Sequence, residues 1–346
     1  MPAFGNCKMK SAAIFSPTWD SLGGGERYAA AFAKLLLEKG YKVDIWWPHN
    51  ISTAIKARFG IDVSRADFVP FPKNDQLSTI NYQLVFWVSN GSLPTSLAKR
   101  TLVHYQIPFR NPGFLNKIKA RFYTSVCNSI FTKQVIDQTY GINSQVIYPP
   151  VDLEYFPPQS KTNSIVSIAR FSTLLHAKRQ DTLIEAFSRI SSQLPGWELI
   201  LAGGSTDPKY VYSLRKQVKN LPVKIITNPS LPKLRQLLSS AKVFWSATGF
   251  GVSPAAHPEK MEHFGITTVE AMAAGAVPLV TNAGGHKETV VPGQSGYLWD
   301  SIDQLVKYTV SLSKDESQLQ KMARQAQKRS KLFSTAVFNT QFSKLI

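Results

Sequence analysis

The chain has 346 residues, of which 43% are hydrophobic and 18% charged, a balance too apolar for a disordered protein and long enough for two cores. Forty lysines and arginines against 22 acidic residues leave a formal charge of +18, which favours anionic partners such as nucleic acid, acidic lipid headgroups or phosphorylated small molecules. Cys7 and Cys127 have no metal-type spacing and read as free thiols of a reducing compartment. No window reaches the ~18 apolar residues of a membrane span, and no signal-peptide run opens the chain, so a cytoplasmic location is expected.

In chain order, AAIFS (12–16) reads as a strand, and the glycines at 23–25 lead into a helix that ends at Gly40. Further strands are expected at 41–47, 83–89, 101–105, 124–129 and 144–149, with a helix over 130–140. YPPVDLEYFPPQSKTNS (148–164) carries four prolines and no helical period, which marks a hinge-like linker. The alternation then restarts: strands at 164–170, 197–204, 223–227, 241–247 and 276–281, helices over 178–194, 209–219, 231–240 and 266–274, then a helical C-terminus. Strands alternating with helices imply α/β architecture with doubly wound parallel sheets. The expected domains are 1–155 and 156–333, with 334–346 as a helix that packs back on the first. Ligands of such sheets bind at the carboxyl ends of the strands.

Several residue sets at those ends can carry chemistry. EHFGITTVEAMAAG (262–275) places Glu262 before a helix start and Glu270 in its second turn, with Gly275 as the stop. The unpaired amides around Gly265 and Ile266 make a ready anion site, flanked by carboxylates that accept from sugar hydroxyls. By itself the spacing fits two solvated glutamates as well. Arg170 ends a strand and Lys178 precedes a helix, which suits two cations that stabilise a departing diphosphate. Gly24 and Gly25 let backbone approach a ligand at a helix start, or simply form a tight turn, and Glu26 favours the helix dipole. His104 closes the strand TLVHY, either to hydrogen-bond a reacting hydroxyl or as a packed core residue. Phe114, Leu115, Ile118 and Phe122 recur at helical spacing, with Lys117 and Arg121 off the stripe. Core packing and a basic helix lying on an anionic membrane explain that stripe equally.

HPEKMEHFGITTVEAMAAGAVPLVTNAGGHKETVVPGQSGYLW (257–299) resembles the donor-binding region of retaining glycosyltransferases of family 4, which have the GT-B fold. LGGGERYAAAFAKLLLEKGYKVDI, VCNSIFTKQVI, VIYPPVD and SIARF…KRQDTLIEAF extend the resemblance over nearly the whole chain. VHYQIPF, VIYPPVD and EHFGI lean toward mannosyltransferases acting on polyprenyl-linked oligosaccharides. The resemblance implies that Glu270 holds the ribose, Glu262 the donor hexose, and the Gly265 and Ile266 amides the diphosphate or sugar. It also places the glycine loop and His104 beside the donor, and it implies retention. GDP-mannose is the first donor implied and a UDP-sugar the second, with a saccharide or polyprenyl-linked acceptor and an anionic membrane surface as partner. No Asp-x-Asp motif calls for a metal, and no cofactor is required. The loop FSTLLHAK is about three residues longer than the family's spacing, so Arg179 or His176 competes with Lys178 for its role. A non-catalytic glycosyltransferase-like subunit is the alternative. A nucleic-acid-binding protein is the weaker one, because no basic helix concentrates the charge.

Overall fold

The computed structural model describes residues 10–72, 76–156, 159–173 and 178–346; His176 lies outside them. The described residues fall into two units, one drawn from the chain up to 128, 132–147 and 339–346, the other from 129–131 and 148–338.

The first unit holds a sheet of β1 (Ser11–Phe15), β2 (Lys42–Trp46), β3 (Asp67–Val69), β4 (Leu84–Ser89), β5 (Arg100–Tyr105), β6 (Thr124–Cys127) and β7 (Gln145–Val146). Their order is β3-β2-β1-β4-β5-β6-β7 and the pairings are parallel. LVFWVS in β4 is buried at every position, the continuous apolar run of a strand covered on both faces. Helix α1 (Gly24–Glu38) buries Tyr28, Phe32, Leu35 and Leu36 along one stripe. α2 (Ser52–Phe59), α3 (Phe114–Ala120) and α4 (Ile130–Tyr140) follow. β3 and α2 were not expected from the sequence: β3 has three residues and α2 buries only Ile55, so neither carries a readable period.

The second unit repeats the plan with β8 (Thr162–Ile168), β9 (Glu198–Gly203), β10 (Val223–Thr227), β11 (Ala241–Ser246), β12 (Val277–Thr281) and β13 (Tyr297–Trp299). Their order is β10-β9-β8-β11-β12-β13, again parallel. Along β11, Val243 and Trp245 join one core cluster and Phe244 another, as period-two alternation requires of a sheet with helices on both faces. The helices are α5 (Gln180–Ile190), α6 (Pro208–Gln217), α7 (Leu231–Ser240), α8 (Ile266–Ala273), α9 (His286–Thr289), α10 (Ile302–Lys314), α11 (Glu316–Ser330) and the first half of α12 (Thr335–Ser343). In each sheet the strand order reverses beside its first strand, between β1 and β4 and between β8 and β11, which creates a crevice at the carboxyl ends.

The first boundary falls at 147/148 instead of 155/156. Val151 pairs with Ser334, its amide bonds the Phe333 carbonyl at 2.9 Å, and Tyr148 packs on Phe264 and Phe333, which ties the segment to the second unit. Residues 339–346 belong to the first unit, where Phe342 packs on Tyr28, Phe32 and Phe86 and the Leu345 carbonyl accepts from Arg100.

Candidate active site

In the second unit the connections after β8, β11 and β12 converge on one carboxylate. Glu262 lies in the segment before α8, half-buried, and its Oε2 accepts from Lys178 Nζ at 2.7 Å. Burial is the largest single influence on Glu262 and works against its charge, but the Lys178 ammonium, through charge and hydrogen bond, together with the neighbouring His286 and His263 holds the carboxyl down at about 2. Two glycines position the pair. The Gly285 amide donates to the Glu262 carbonyl at 2.7 Å, and a Cβ on Gly284 or Gly285 would lie 2.2–2.5 Å from the backbone of Glu262 to Phe264. The turn between β12 and α9 therefore lies flat against the segment that carries Glu262, which only glycine permits.

Gly265 caps α8 in the left-handed conformation at φ 92 and offers no side chain to the first-turn amides. Those amides, Ile266 included, lack acceptors in their own helix, which is the arrangement an anion site at a helix start needs. Glu270 sits one turn further on, half-buried. Arg170 follows β8 and is exposed, with its backbone carbonyl held by Gln180 Nε2 at 3.1 Å. Arg179, the competing cation, is committed elsewhere: its guanidinium pairs with Asp181 at 3.0 Å and donates to the Phe250 carbonyl at 3.2 Å. Among the described residues it is Lys178 that meets Glu262.

His286 lies beside Glu262 and Lys178, and Glu288 follows it in α9. His286 is fully buried, and its Nδ1 lies 3.0 Å from the Thr281 hydroxyl. That hydroxyl spends its only proton on the Thr248 carbonyl at 2.7 Å, so Nδ1 is the protonated nitrogen of a neutral ring. Burial pushes His286 down to about 4, against the pull of Glu262. Glu288 accepts from the Ile130 and Phe131 amides, each at 2.7 Å, and burial raises its carboxyl. Only the neighbouring glycine pair in GGHKE pointed to either residue.

In the first unit the glycine loop is organised by Glu26. This carboxylate is buried and accepts from Ser16 Oγ (2.6 Å), Thr18 Oγ1 (3.0 Å), Ser21 Oγ (3.0 Å) and the Gly23 amide (2.9 Å). Its role is to hold the loop, beyond favouring a dipole. Gly24 opens α1, and a Cβ on Gly25 would meet Gln106 Oε1 at 2.2 Å. His104 departs from the ligand-facing expectation. Its exposure is nil and its ring stacks on Tyr28 at 3.7 Å, and burial pushes the imidazole down to about 3, so it is a neutral core residue. The side chain at the penultimate position of β5 points into the layer between sheet and α1.

Residues 155–329, half of the chain, match the family model described as glycosyl transferases group 1. The GDP-Man:Man(3)GlcNAc(2)-PP-Dol alpha-1,2-mannosyltransferase of Dictyostelium discoideum is 28% identical over 81% of this chain and 58% of its own length. The chain thus spans little more than half of that relative. HepE from Anabaena in complex with UDP superposes with a TM-score of 0.74 at 18% identity, over 97% of this chain and 99% of its own. A glycosyltransferase from Rickettsia africae gives 0.76 at 18% identity, over 98% of each chain. The paired Rossmann-like sheets are those of the GT-B architecture, and with half its length matched to one family model the chain belongs to the glycosyl transferases group 1 family.

Proposed function

We propose that the chain transfers a hexose, mannose first, from a nucleotide diphosphate sugar to a polyprenyl-linked saccharide, with retention of configuration. The observation that carries this reading is the Lys178–Glu262 pair set against the uncapped start of α8. Lys178 spends one of three N–H donors on Glu262 and keeps two for a diphosphate. Glu262 has a second oxygen for a hexose hydroxyl and stays ionised at every physiological pH. Arg170 adds a second, exposed cation. Together they would neutralise the departing diphosphate, the task a metal ion performs in other transferases. Glu270 would hold the ribose.

In the reaction the acceptor oxygen bonds the anomeric carbon as that carbon's bond to the β-phosphate oxygen breaks. The nucleoside diphosphate leaves with the electron pair, and the acceptor's proton passes to its departing oxygen. GDP-mannose is favoured by the activity for which the Dictyostelium relative is named. A UDP-sugar is the second choice, given the UDP held by the Anabaena protein of the same fold. Incubation with GDP-mannose and a polyprenyl-linked oligosaccharide, read by mass spectrometry, should add one hexose to the lipid. GDP release without that gain, or no thermal stabilisation by GDP, would defeat the assignment, and stabilisation by UDP alone would move it to a UDP-sugar.

A further inference from the structure

Helix α3 is mounted inside out. Two of its polar side chains, Asn116 and Lys119, face the protein: Asn116 Nδ2 donates to the carbonyls of Gly91 (3.2 Å) and Pro112 (2.7 Å), and its Oδ1 accepts from the Leu93 amide (3.2 Å). Lys119 donates to the Leu93 carbonyl (3.4 Å), Ala120 is buried, and the Tyr123 hydroxyl donates to the Pro94 carbonyl (2.9 Å). The apolar side chains face outward, with Phe114 76%, Leu115 70%, Ile118 39% and Phe122 81% exposed. Positions 114, 115 and 118 fall on one side of α3, and Phe122 stands exposed just beyond its end. The core-packing explanation of the stripe is therefore excluded. A chain gains nothing by holding such a face in water unless something covers it.

The charge around the face identifies the cover. Residues 106–123 contain Arg110, Lys117, Lys119 and Arg121 and no acidic residue. Arg110, Lys117 and Arg121 are exposed. A second copy docking through the same face would bring like charges together, whereas lipid phosphates complement them while acyl chains take the aromatics. We propose that α3 with Phe122 is a docking surface for an anionic lipid bilayer. This deepens the functional reading above by giving the place where a lipid-linked acceptor is met; the surface itself stands on α3 alone.

Flotation of the intact protein with vesicles of phosphatidylcholine, with and without phosphatidylglycerol, tests it. Binding should require the anionic lipid and weaken in high salt as the ~10 Å Debye length shortens. Phe114→Ser with Phe122→Ser should cut partitioning by about tenfold per aromatic side chain. Lys117→Glu with Arg121→Glu should abolish the preference for phosphatidylglycerol. All four side chains are exposed, so both double variants should fold and bind nucleotide as the parent does. Equal binding to both vesicles, binding to neither, or a concentration-dependent dimer lost in the phenylalanine variant would overturn the proposal. Vesicle binding without sugar transfer keeps this surface and removes the function proposed above; transfer to a water-soluble acceptor without vesicle binding does the reverse.

Discussion

Glu26 and Glu262 are both carboxylates at helix starts beside the reversal point of a parallel sheet, and they are used in opposite ways. Glu26 is buried and saturated, with four donors on its two oxygens. Glu262 is 19% exposed at its side chain, has one oxygen on a lysine, and takes no bond on the other from the described residues. A saturated carboxylate has nothing left for a ligand and serves as scaffold. One with a counter-ion and a spare acceptor is charged, placed and available. The count of donors separates the two more sharply than burial does.

The largest effect should come from breaking the saturated site. Glu26→Ala leaves three hydroxyls and an amide without their acceptor and should cost about 3–5 kcal/mol in urea unfolding, as when one side of a buried charged network is removed. A loss under ~1 kcal/mol would erase the contrast between the two carboxylates. Next, Lys178→Ala should lower kcat for hexose transfer by on the order of 10²-fold, with far less effect on stability than Glu26→Ala. Arg179→Ala should leave kcat within about twofold, because its partly exposed pair with Asp181 is worth little. The reverse ranking would hand the cationic role to Arg179. Glu270→Ala should weaken nucleotide binding about tenfold in calorimetry, the value of one hydrogen bond to a charged group.

A further test concerns pH. His104 and His286 are neutral in the fold, at about 3 and about 4, against 6.5 in the unfolded chain. Depressed folded values mean that their contribution is fully present above pH 6.5 and is lost as pH falls toward those values. Glu262, at about 2 against 4.5, adds a second loss below pH 4.5. Stability measured by urea should therefore decline from pH 6.5 downward. His104→Phe, which keeps the stack on Tyr28, should reduce that slope between pH 6.5 and 4. An unchanged slope would mean that the ring does take a proton in place.

Much of the framework was legible in the residues. Apolar runs placed β1, β4, β5, β8, β9, β11 and β12, because a strand covered on both faces needs no polar alternation. Gly265 and Gly275 bracketed α8, since only glycine enters the left-handed region there without strain. The same local chemistry put Glu262, Glu270, Lys178 and Arg170 near strand ends. Elements with weak periods, such as α2 and β3, escaped, and so did β13, whose three residues pair only with β12.

Local residue order thus fixes which residues share a face, where helices start and stop, and which family the motifs resemble. Tertiary structure alone decided what each face meets. The stripe on α3 reads the same whether it turns inward or outward; the anchoring of Asn116 on the 91–93 segment turns it to solvent. His104 reads as a strand-end ligand until α1 lays Tyr28 across it. Lys178 and Arg179 are adjacent in sequence, and the left-handed turn at Arg179 (φ 51) sends their side chains to different partners, Glu262 and Asp181. Glu26 reads as one more acid in a first helical turn until Ser16, at the end of β1, folds back onto it. In each case the deciding contact joins segments whose meeting depends on the packing of the whole unit. Local propensity acts over a few residues and fixes periodicity and caps, while burial and donor count are properties of neighbours brought together by the fold.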